Sequence, residues 1–278
     1  MISGAGGQVG RFLEREATAQ GRDVLALTSA QWDITDPAAA SRIVQPGDVV
    51  VNCAAYTAVD AAESDVDRAY AVNAAAPGYI AGACATAGAR LIHISTDYVF
   101  SGVFDGSPRP YEVDDATGPL SVYGKSKLAG EVAVHEALPQ GHVVRTAWVY
   151  TGVGSDFVGT MRRLADGDGP VNVVVDQIGS PTYVADLVAV LLGVADRPAA
   201  PPLLHAANQG AASRFEQARA VFEGIGADPE RVRPVSSGDN PRPAARPSYS
   251  ALSSSALADV GIEPPRPWRD ALAEALAN

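Results

Sequence analysis

Short apolar runs alternate with segments of helical character along most of the chain. Apolar runs of strand length occur at residues 2–3, 24–27, 49–53, 91–95, 143–147 and 203–207. Helical segments lie between most of them, including 60–71 and the Ala-rich 77–87, and Ser213 with Glu216 has the spacing of a capping box that begins a further helix. This alternation predicts an α/β fold with a doubly wound parallel sheet.

Glycines mark the first turn of the chain. Gly4, Gly7 and Gly10 follow the first apolar run and precede a helical segment at 11–20. In a strand–turn–helix unit the first glycine permits a tight turn, the second lets a pyrophosphate approach the backbone, and the third allows close helix packing. Free amides at the helix start then hold the anion. The pattern predicts a Rossmann-type dinucleotide-binding loop, after a first strand shorter than the usual five or six residues.

The C-terminal part of the chain has a different pattern. Proline-rich stretches break it into short pieces at 197–202, 241–247 and 264–267. We therefore expect residues 1–150 to form the dinucleotide-binding domain, with 180–207 returning to it. Residues 151–179 and 208–278 are expected to form a smaller C-terminal substrate-binding lobe over the carboxyl edge of the sheet.

The second apolar run ends without an acidic residue. Residues 24–27 are followed by Thr28 and Ser29, where an NAD-selective site carries an Asp or Glu for the ribose 2′-hydroxyl. Neither residue repels a 2′-phosphate, so NADPH is the expected cofactor, with NADH possible. Asp33, next to Ile34, is a candidate contact to the adenine, and a helix-cap role for Asp33 is the alternative.

A tyrosine and a lysine lie four residues apart in the segment 121–127. On a helix, Tyr123 and Lys127 lie about one turn apart on the same face. A cation there favours the phenolate and lowers the phenol pKa from roughly 10. Tyr123 is therefore a candidate general acid that protonates a carbonyl oxygen as hydride reaches its carbon. The alternative is an ordinary surface pair.

Two polar residues follow the apolar run at 91–95. Thr96 and Asp97 come directly after this predicted buried strand. Ligands of open α/β sheets bind at the carboxyl ends of strands, which places both residues at the mouth of the predicted site. The alternative is a polar turn without a function.

Composition limits the partners of this 278-residue chain. Its 21 Lys and Arg against 32 Asp and Glu give a net charge of −11, which argues against nucleic acid or an anionic membrane as a partner. An anionic substrate would need local arginines. No apolar run approaches the roughly 18 residues of a membrane span, and no signal peptide opens the chain. We therefore expect a cytoplasmic enzyme.

With these segments assembled, the chain resembles the extended short-chain dehydrogenase/reductase family. The matching runs are residues 4–10, 52–63, 95–100, 122–131, 145–150, 176–182 and 246–247. The runs Ser-Thr-Asp-Tyr-Val-Phe and Arg-Thr-Ala-Trp-Val-Tyr are much more specific than the glycine loop. The resemblance covers nearly the full length and implies an NADPH-dependent oxidoreductase that reduces a nucleotide-linked 4-keto-6-deoxy sugar.

The resemblance also implies roles for individual residues. Thr96 would hydrogen-bond the 4-keto oxygen, Tyr123 would donate the proton, and Lys127 would hold the nicotinamide ribose and lower the tyrosine pKa. Together with the glycine loop and the Asp33–Ile34 segment, the predicted cofactor-binding residues are Gly4, Gly7, Gln8, Val9, Gly10, Asp33, Ile34, Ala54, Ala55, Tyr56, Tyr123 and Lys127. The implied substrate-binding residues are Thr96, Asp97, Trp148 and Arg246.

Some of these roles have structural alternatives. Trp148 would otherwise be a buried core residue, and Arg246 part of an Arg-Pro turn. Asn73 matches the position of a family asparagine near the catalytic residues. The substrate is also open, because another dTDP-4-keto-deoxyhexose fits the same motifs. A non-catalytic, NADP-sensing regulatory subunit is the alternative from a different functional class.

The sequence departs from the family pattern after the third glycine. Some family members carry a glutamate there that helps bind a magnesium ion at a dimer interface. Here Gly10 is followed by Arg11 and Phe12. We therefore expect no metal site, and either a monomer or a metal-independent homodimer.

Overall fold

The structure, a computed structural model, describes residues 1–239 and 241–277. Its strands are β1 (Ile2–Ser3), β2 (Ala26–Leu27), β3 (Val49–Asn52), β4 (Arg90–Thr96), β5 (His142–Thr146), β6 (Val149–Tyr150), β7 (Val171–Val174), β8 (Ile178–Gly179), β9 (Thr182–Tyr183), β10 (Leu203–His205), β11 (Ala212–Ser213) and β12 (Val232–Val235). Its α-helices are α1 (Gln8–Ala19), α2 (Ala39–Ile43), α3 (Val59–Ala62), α4 (Val66–Tyr70), α5 (Ala76–Ala87), α6 (Val122–Ala137), α7 (Phe157–Ala165), α8 (Val184–Ala195), α9 (Arg214–Gly224) and α10 (Trp268–Ala277).

The main sheet is parallel throughout. Within the described residues, six strands are hydrogen-bonded neighbours in the order β10-β5-β4-β3-β1-β2. The strand order reverses between β1 and β3, and open α/β sheets bind their ligands at such a point. The predicted doubly wound α/β fold is confirmed. β1 has only two residues, in agreement with the short first strand expected from the sequence.

Helices cover both faces of the sheet because its strands are apolar on both sides. Successive strand residues point to opposite faces. Leu91 and Val143 pack into one core with α5 and α6, whereas their neighbours Ile92 and Val144 pack into the other core with α1 and α8. All four side chains are fully buried. Burial on both faces explains why the runs read as continuously apolar.

The helical stretch predicted at residues 60–71 is interrupted. It forms two short helices, α3 and α4, separated by residues 63–65, where the Ser64 hydroxyl donates to the carbonyl of Ala61 at 3.1 Å. A π-helical turn at Ala71–Ala75 then leads into α5. α5 ends at Gly88, which adopts the left-handed conformation at φ +68°. π-turns are often found at functional sites.

Smaller pairs of strands lie beyond the main sheet. Within the described residues these are β6 with β9, β7 with β12, and β8 with β11. α9 begins with the capping box predicted at Ser213 and Glu216, in which the serine hydroxyl accepts from the Glu216 amide at 3.0 Å. None of the helices formed by residues 1–239 and 241–277 has both the length and the apolar character that a membrane crossing requires.

Gly130 of α6 packs against the π-turn so closely that a side chain there is excluded. A Cβ on this glycine would lie 2.0 Å from the carbonyl oxygen of Asn73. We expect Gly130→Ala to lower the free energy of unfolding by about 1–3 kcal/mol, because the two backbones must separate. Urea denaturation measures this change.

Gly82→Ala in α5 is the matched control for Gly130→Ala. A Cβ at Gly82 would meet nothing within 4 Å. Alanine is the better helix former by about 1 kcal/mol, so this variant should be as stable as the wild type or more stable. Equal denaturation midpoints for the two variants would contradict the packing argument.

Candidate active site

A cavity of about 610 Å³ opens at the carboxyl ends of the central strands. The predicted residues that line it are Gly7, Gln8, Val9, Ala55, Thr96, Asp97, Tyr123, Lys127 and Trp148. A second cavity, of about 470 Å³, is lined by the predicted residues Gly4, Gly7, Asp33, Ile34, Ala54, Ala55 and Tyr56. The two cavities share Gly7, Cys53 and Ala55 and so form adjoining parts of one groove. Gly10 and Arg246 line neither cavity.

The glycine loop has the shape that a dinucleotide requires. Gly4 turns the chain at φ +68°, and a Cβ there would lie 2.6 Å from the amide nitrogen of Ala54. A Cβ on Gly10 would lie 2.4 Å from the carbonyl oxygen of Gly4. Gly7 is the N-cap of α1, and no side chain caps this helix. The amides at the start of α1 are therefore free for a pyrophosphate, and the loop fits the cofactor.

The second cavity fits the adenosine end of the cofactor. Thr28 and Ser29, which follow β2, line it together with Asp33. Neither Thr28 nor Ser29 has the acidic side chain that an NAD-selective site carries after this strand. The Asp33 carboxylate accepts from the backbone and hydroxyl of Thr35, at 2.9 and 2.6 Å, and these hydrogen bonds lower its pKa. These contacts belong to a turn and not to the helix cap that the sequence left as an alternative, because the next helix, α2, begins at Ala39 with Ala38 as its N-cap.

Tyr123 and Thr96 meet through their hydroxyl groups. Ser121 caps α6 by accepting from the amide of Gly124 at 3.2 Å, which leaves Tyr123 in the first turn of the helix, at the cavity. The phenol lies beside the Thr96 hydroxyl at the end of β4, close enough for that hydroxyl to act on its pKa. Thr96 Oγ1 in turn donates to Asp97 Oδ1 at 3.0 Å. A proton donor and a second hydroxyl therefore converge on one point of the cavity.

Asp97 is buried beneath Thr96. Its second carboxylate oxygen accepts from the Ser250 hydroxyl at 2.5 Å. Burial raises the pKa of Asp97 to about 6, although the hydrogen bonds from Ser250 and Thr96 oppose the shift. The hydrogen bond to the Asp97 carboxylate thus fixes the orientation of the Thr96 side chain.

The pKa of Tyr123 is raised, and the sequence-based expectation of a lowered value is wrong for this structure. Burial raises the pKa of the phenol above its ordinary value and outweighs the opposing effect of the Thr96 hydroxyl. The Lys127 ammonium is bonded elsewhere, because Nζ donates to the carbonyl of Ile94 at 2.7 Å. The phenol therefore keeps its proton at neutral pH, as a general acid must.

A chain of buried polar groups ends at Lys127. The Asn52 side-chain oxygen accepts from Ser3 Oγ at 2.6 Å and from the Ala54 amide at 3.2 Å, so its NH₂ group faces His93 Nδ1 at 3.0 Å. Burial lowers the pKa of His93 well below 6.5, so the ring is neutral. In this assignment its single proton is on Nε2, 3.2 Å from Lys127 Nζ.

Burial has the corresponding effect on the lysine itself. Desolvation lowers the pKa of Lys127 to about 8, and the charge of Glu131 opposes this shift.

Sequence analysis did not identify His93. Its only signal was a polar residue within the apolar run 91–95, in a strand buried on both faces.

Asn73 is fully buried in the π-turn and fastens two parts of the site. Its side-chain oxygen accepts from the amide of Tyr56 at 2.8 Å, and its NH₂ group donates to the Tyr56 carbonyl and to Ser126 Oγ, both at 3.0 Å. Tyr56 lines the second cavity, and Ser126 lies in α6 between Tyr123 and Lys127. Asn73 therefore links the cofactor groove to the helix that carries the tyrosine.

Trp148 has a strained backbone and lines the main cavity. Its φ of +44° is the only positive value for a non-glycine residue in the described part of the chain. The indole lies against Gly179, where a Cβ would come within 2.5 Å of the ring. Trp148 is half-buried, so it is not an ordinary core residue. Strained residues of this kind cluster at ligand sites.

The two arginines near the site have different environments. Arg246, expected from the family resemblance to bind substrate, forms an ion pair with Asp60 at 2.9 and 3.0 Å. Arg214, which sequence analysis did not identify, lines the main cavity. Its guanidinium lies 3.5 Å from the centroid of the Trp148 ring. The sequence signal that could have identified Arg214 was its position directly after the Ser213 cap, because residues at a helix start often face a ligand.

Comparisons with known proteins agree with this geometry. The family model described as "RmlD substrate binding domain" matches residues 1–278. The dTDP-4-dehydrorhamnose reductase of Mycobacterium tuberculosis H37Rv is 64% identical over 100% of this chain and 92% of its own length. The protein of the same name from Mycolicibacterium smegmatis is 61% identical over 100% of this chain and 84% of its own length.

Solved structures are similar over the same extent. A dTDP-4-dehydrorhamnose reductase from Bacillus anthracis, in complex with NADP, has a TM-score of 0.93 and 36% identity, covering 99% of this chain and 97% of that one. The Clostridium acetobutylicum ortholog has a TM-score of 0.93 and 37% identity with the same coverage. The resemblance to an extended short-chain dehydrogenase/reductase is confirmed. The full-length family match and these relatives show that the chain belongs to the RmlD substrate binding domain family.

Proposed function

We propose that this protein catalyses the NADPH-dependent reduction of the 4-keto group of dTDP-4-dehydro-L-rhamnose to give dTDP-L-rhamnose. The observation that carries the proposal is the meeting of Tyr123 and Thr96 at the carboxyl edge of the sheet, beside a glycine loop that fits a dinucleotide. Relatives named for this reaction are 61% and 64% identical over the whole chain. The similar B. anthracis enzyme is in complex with NADP, which supports the choice of cofactor.

The side chains divide the reaction between them. The bound reduced nicotinamide supplies the hydride that is added to C4 of the sugar. Thr96 turns its single hydroxyl proton from Asp97 to the keto oxygen, and Tyr123 donates its proton to that oxygen as negative charge develops. Lys127 holds the nicotinamide ribose. The ketone thereby gains one hydride and one proton and becomes an alcohol.

The remaining site residues bind the two ligands. We assign the cofactor to the groove lined by Gly4, Gly7, Gln8, Val9, Asp33, Ile34, Ala54, Ala55 and Tyr56, with Gly10 packed behind the glycine loop. Asp97 and Trp148 contact the sugar nucleotide. For Arg246, the ion pair with Asp60 favours the structural role over phosphate binding.

The same assignment divides the chain into two working parts. Residues 1–150 with 180–207 bind the dinucleotide, and residues 151–179 with 208–278 bind the sugar nucleotide. In support, β10 pairs with β5 at the edge of the main sheet. We place the enzyme in the cytoplasm, with a nucleotide sugar as its partner and neither nucleic acid nor a membrane surface.

A coupled assay tests the function directly. The two preceding enzymes generate dTDP-4-keto-6-deoxy-L-mannose in situ, and the near-ultraviolet absorbance of the reduced nicotinamide is followed with NADPH and then with NADH. We expect NADPH to be oxidised while dTDP-L-rhamnose accumulates, and the two rates rank the cofactors. Cofactor binding without oxidation would contradict the proposal, leaving another dTDP-4-keto-deoxyhexose or the NADP-sensing subunit.

Removal of the phenol hydroxyl tests the proton donor. We expect Tyr123→Phe to lower kcat by about a hundredfold or more, the scale of lost general-acid catalysis, with NADPH affinity retained. Tyr79→Phe is the matched control, because Tyr79 lies on α5 with 39% of its surface exposed and should not affect turnover. Near-normal turnover of Tyr123→Phe would exclude the phenol from the reaction.

Chelation tests the assembly state. Within residues 1–239 and 241–277, no three His, Cys, Asp or Glu side chains are grouped to hold a metal ion, and Arg11 occupies the position of the family glutamate. We expect EDTA to change neither turnover nor the molar mass from light scattering, for a monomer or for a metal-independent homodimer. If EDTA lowered turnover or the molar mass, and magnesium restored it, the protein would have a metal requirement.

A further inference from the structure

The main cavity contains an arginine, Arg214, whose guanidinium is not bonded to a carboxylate of the described residues. Arg214 is in none of the ion pairs formed within residues 1–239 and 241–277. The one hydrogen bond that its side chain makes among those residues runs from Nη1 to Gln217 Oε1 at 3.2 Å. Its guanidinium lies 3.5 Å from the ring centroid of Trp148 and 4.9 Å from that of Phe157. Burial lowers the pKa of Arg214 only to about 10, so the group is cationic at neutral pH.

The carboxylates of the cavity are already satisfied by other donors. Asp97 accepts from Thr96 and Ser250. Asp156 accepts from the amide and hydroxyl of Thr151 at 2.7 and 2.6 Å and from the amide of Gly159 at 2.9 Å. A desolvated cation without a counter-ion costs free energy, unless a ligand brings the negative charge.

The other cations near the site have partners within the protein. Lys127 donates to the Ile94 carbonyl, and Arg246 pairs with Asp60. The chain as a whole carries a net charge of −11, which repels an anionic substrate. Arg214 is therefore the cation in the cavity that is free to attract one.

We propose that Arg214 binds the diphosphate of the nucleotide-sugar substrate. This inference rests on the proposed function, because it names the group that recognises one part of that substrate. Stacking on an indole uses the face of the guanidinium, so the N–H groups in its plane are available to phosphate oxygens. The planar fork of an arginine binds two phosphate oxygens at once, which a lysine does not.

The cofactor also carries a pyrophosphate, but the structure provides for it elsewhere. The free amides at the start of α1 serve that group. Arg214 begins α9, and its charge acts on Asp97 and Tyr98, which follow Thr96 directly. Its position on the Thr96 side of the cavity favours the diphosphate of the substrate.

Calorimetric titration with dTDP, in the presence of saturating NADP⁺, tests the assignment. We expect Arg214→Gln to weaken dTDP binding roughly ten- to hundredfold, the value of a charge-assisted hydrogen-bonded pair. Affinities for thymidine and NADP⁺ should be unchanged, which also shows that the variant is folded. Arg214→Lys should recover part of the loss, because it keeps the charge and loses the fork.

Arg219→Gln is the matched control. Arg219 lies on the same helix, and its guanidinium pairs with Glu230 at 2.6 Å, outside the cavity. This variant should bind dTDP as the wild type does. Added salt should weaken dTDP binding to the wild type more than binding to Arg214→Gln, because the variant has lost one charge contact.

Three results would overturn the proposal. Equal dTDP affinity of Arg214→Gln and wild type would exclude the contact while leaving the proposed reductase function intact. Loss of NADP⁺ affinity with unchanged dTDP affinity would assign Arg214 to the cofactor. A wild-type protein that binds NADP⁺ but neither dTDP nor the sugar nucleotide would contradict both this inference and the proposed function.

Discussion

The position of α6 is the constraint on which the site depends. Its glycines let it approach two other backbone segments, because a Cβ on Gly124 would lie 2.3 Å from the carbonyl oxygen of Tyr98 and one on Gly130 would meet that of Asn73. A buried ion pair holds the next residue, Glu131, against Arg145 at 2.7 and 2.9 Å. Breaking one partner of such a pair costs about 3–5 kcal/mol. These contacts fix where α6 presents its tyrosine to the end of β4.

Burial sets the charge of the groups gathered there. Desolvation raises the pKa of Tyr123 and of Asp97 and lowers the pKa of Lys127 and of His93. Each shift favours the neutral form, and the shift of Tyr123 leaves the phenol protonated at neutral pH. In such surroundings hydrogen bonds to a developing oxyanion are worth more than in water. Burial also lowers the pKa of Arg214, to about 10, but the guanidinium stays charged at neutral pH and can attract a substrate anion.

The sequence was sufficient for the features that depend on local pattern. Alternating apolar runs predicted the doubly wound sheet, Ser213 and Glu216 predicted the cap of α9, and the spacing of Gly4 and Gly10 predicted a tight turn with close packing. Each of these follows from residues that are near one another in the chain.

Features set by tertiary contacts could not be predicted in the same way. The spacing of Tyr123 and Lys127 indicated a shared helical face, but not that the ammonium donates to the Ile94 carbonyl beside the buried His93 ring. The direction of the phenol pKa shift depends on that competition and on burial, and neither can be seen in the segment 121–127. Arg214 lies 66 residues beyond Trp148 in the chain, and only the fold brings the two together.

Trp148 shows how strain at the site is supported. A positive φ in a residue with a large side chain costs about 1–3 kcal/mol and persists only where its surroundings over-determine it. The indole rests on Gly179, where no side chain displaces it, and Arg214 adds a cation–π contact worth about 0.5–2 kcal/mol. The same guanidinium therefore stabilises the strained residue and, in our proposal, binds the diphosphate. Substrate binding and the geometry of Trp148 are then coupled, because both depend on one side chain of α9.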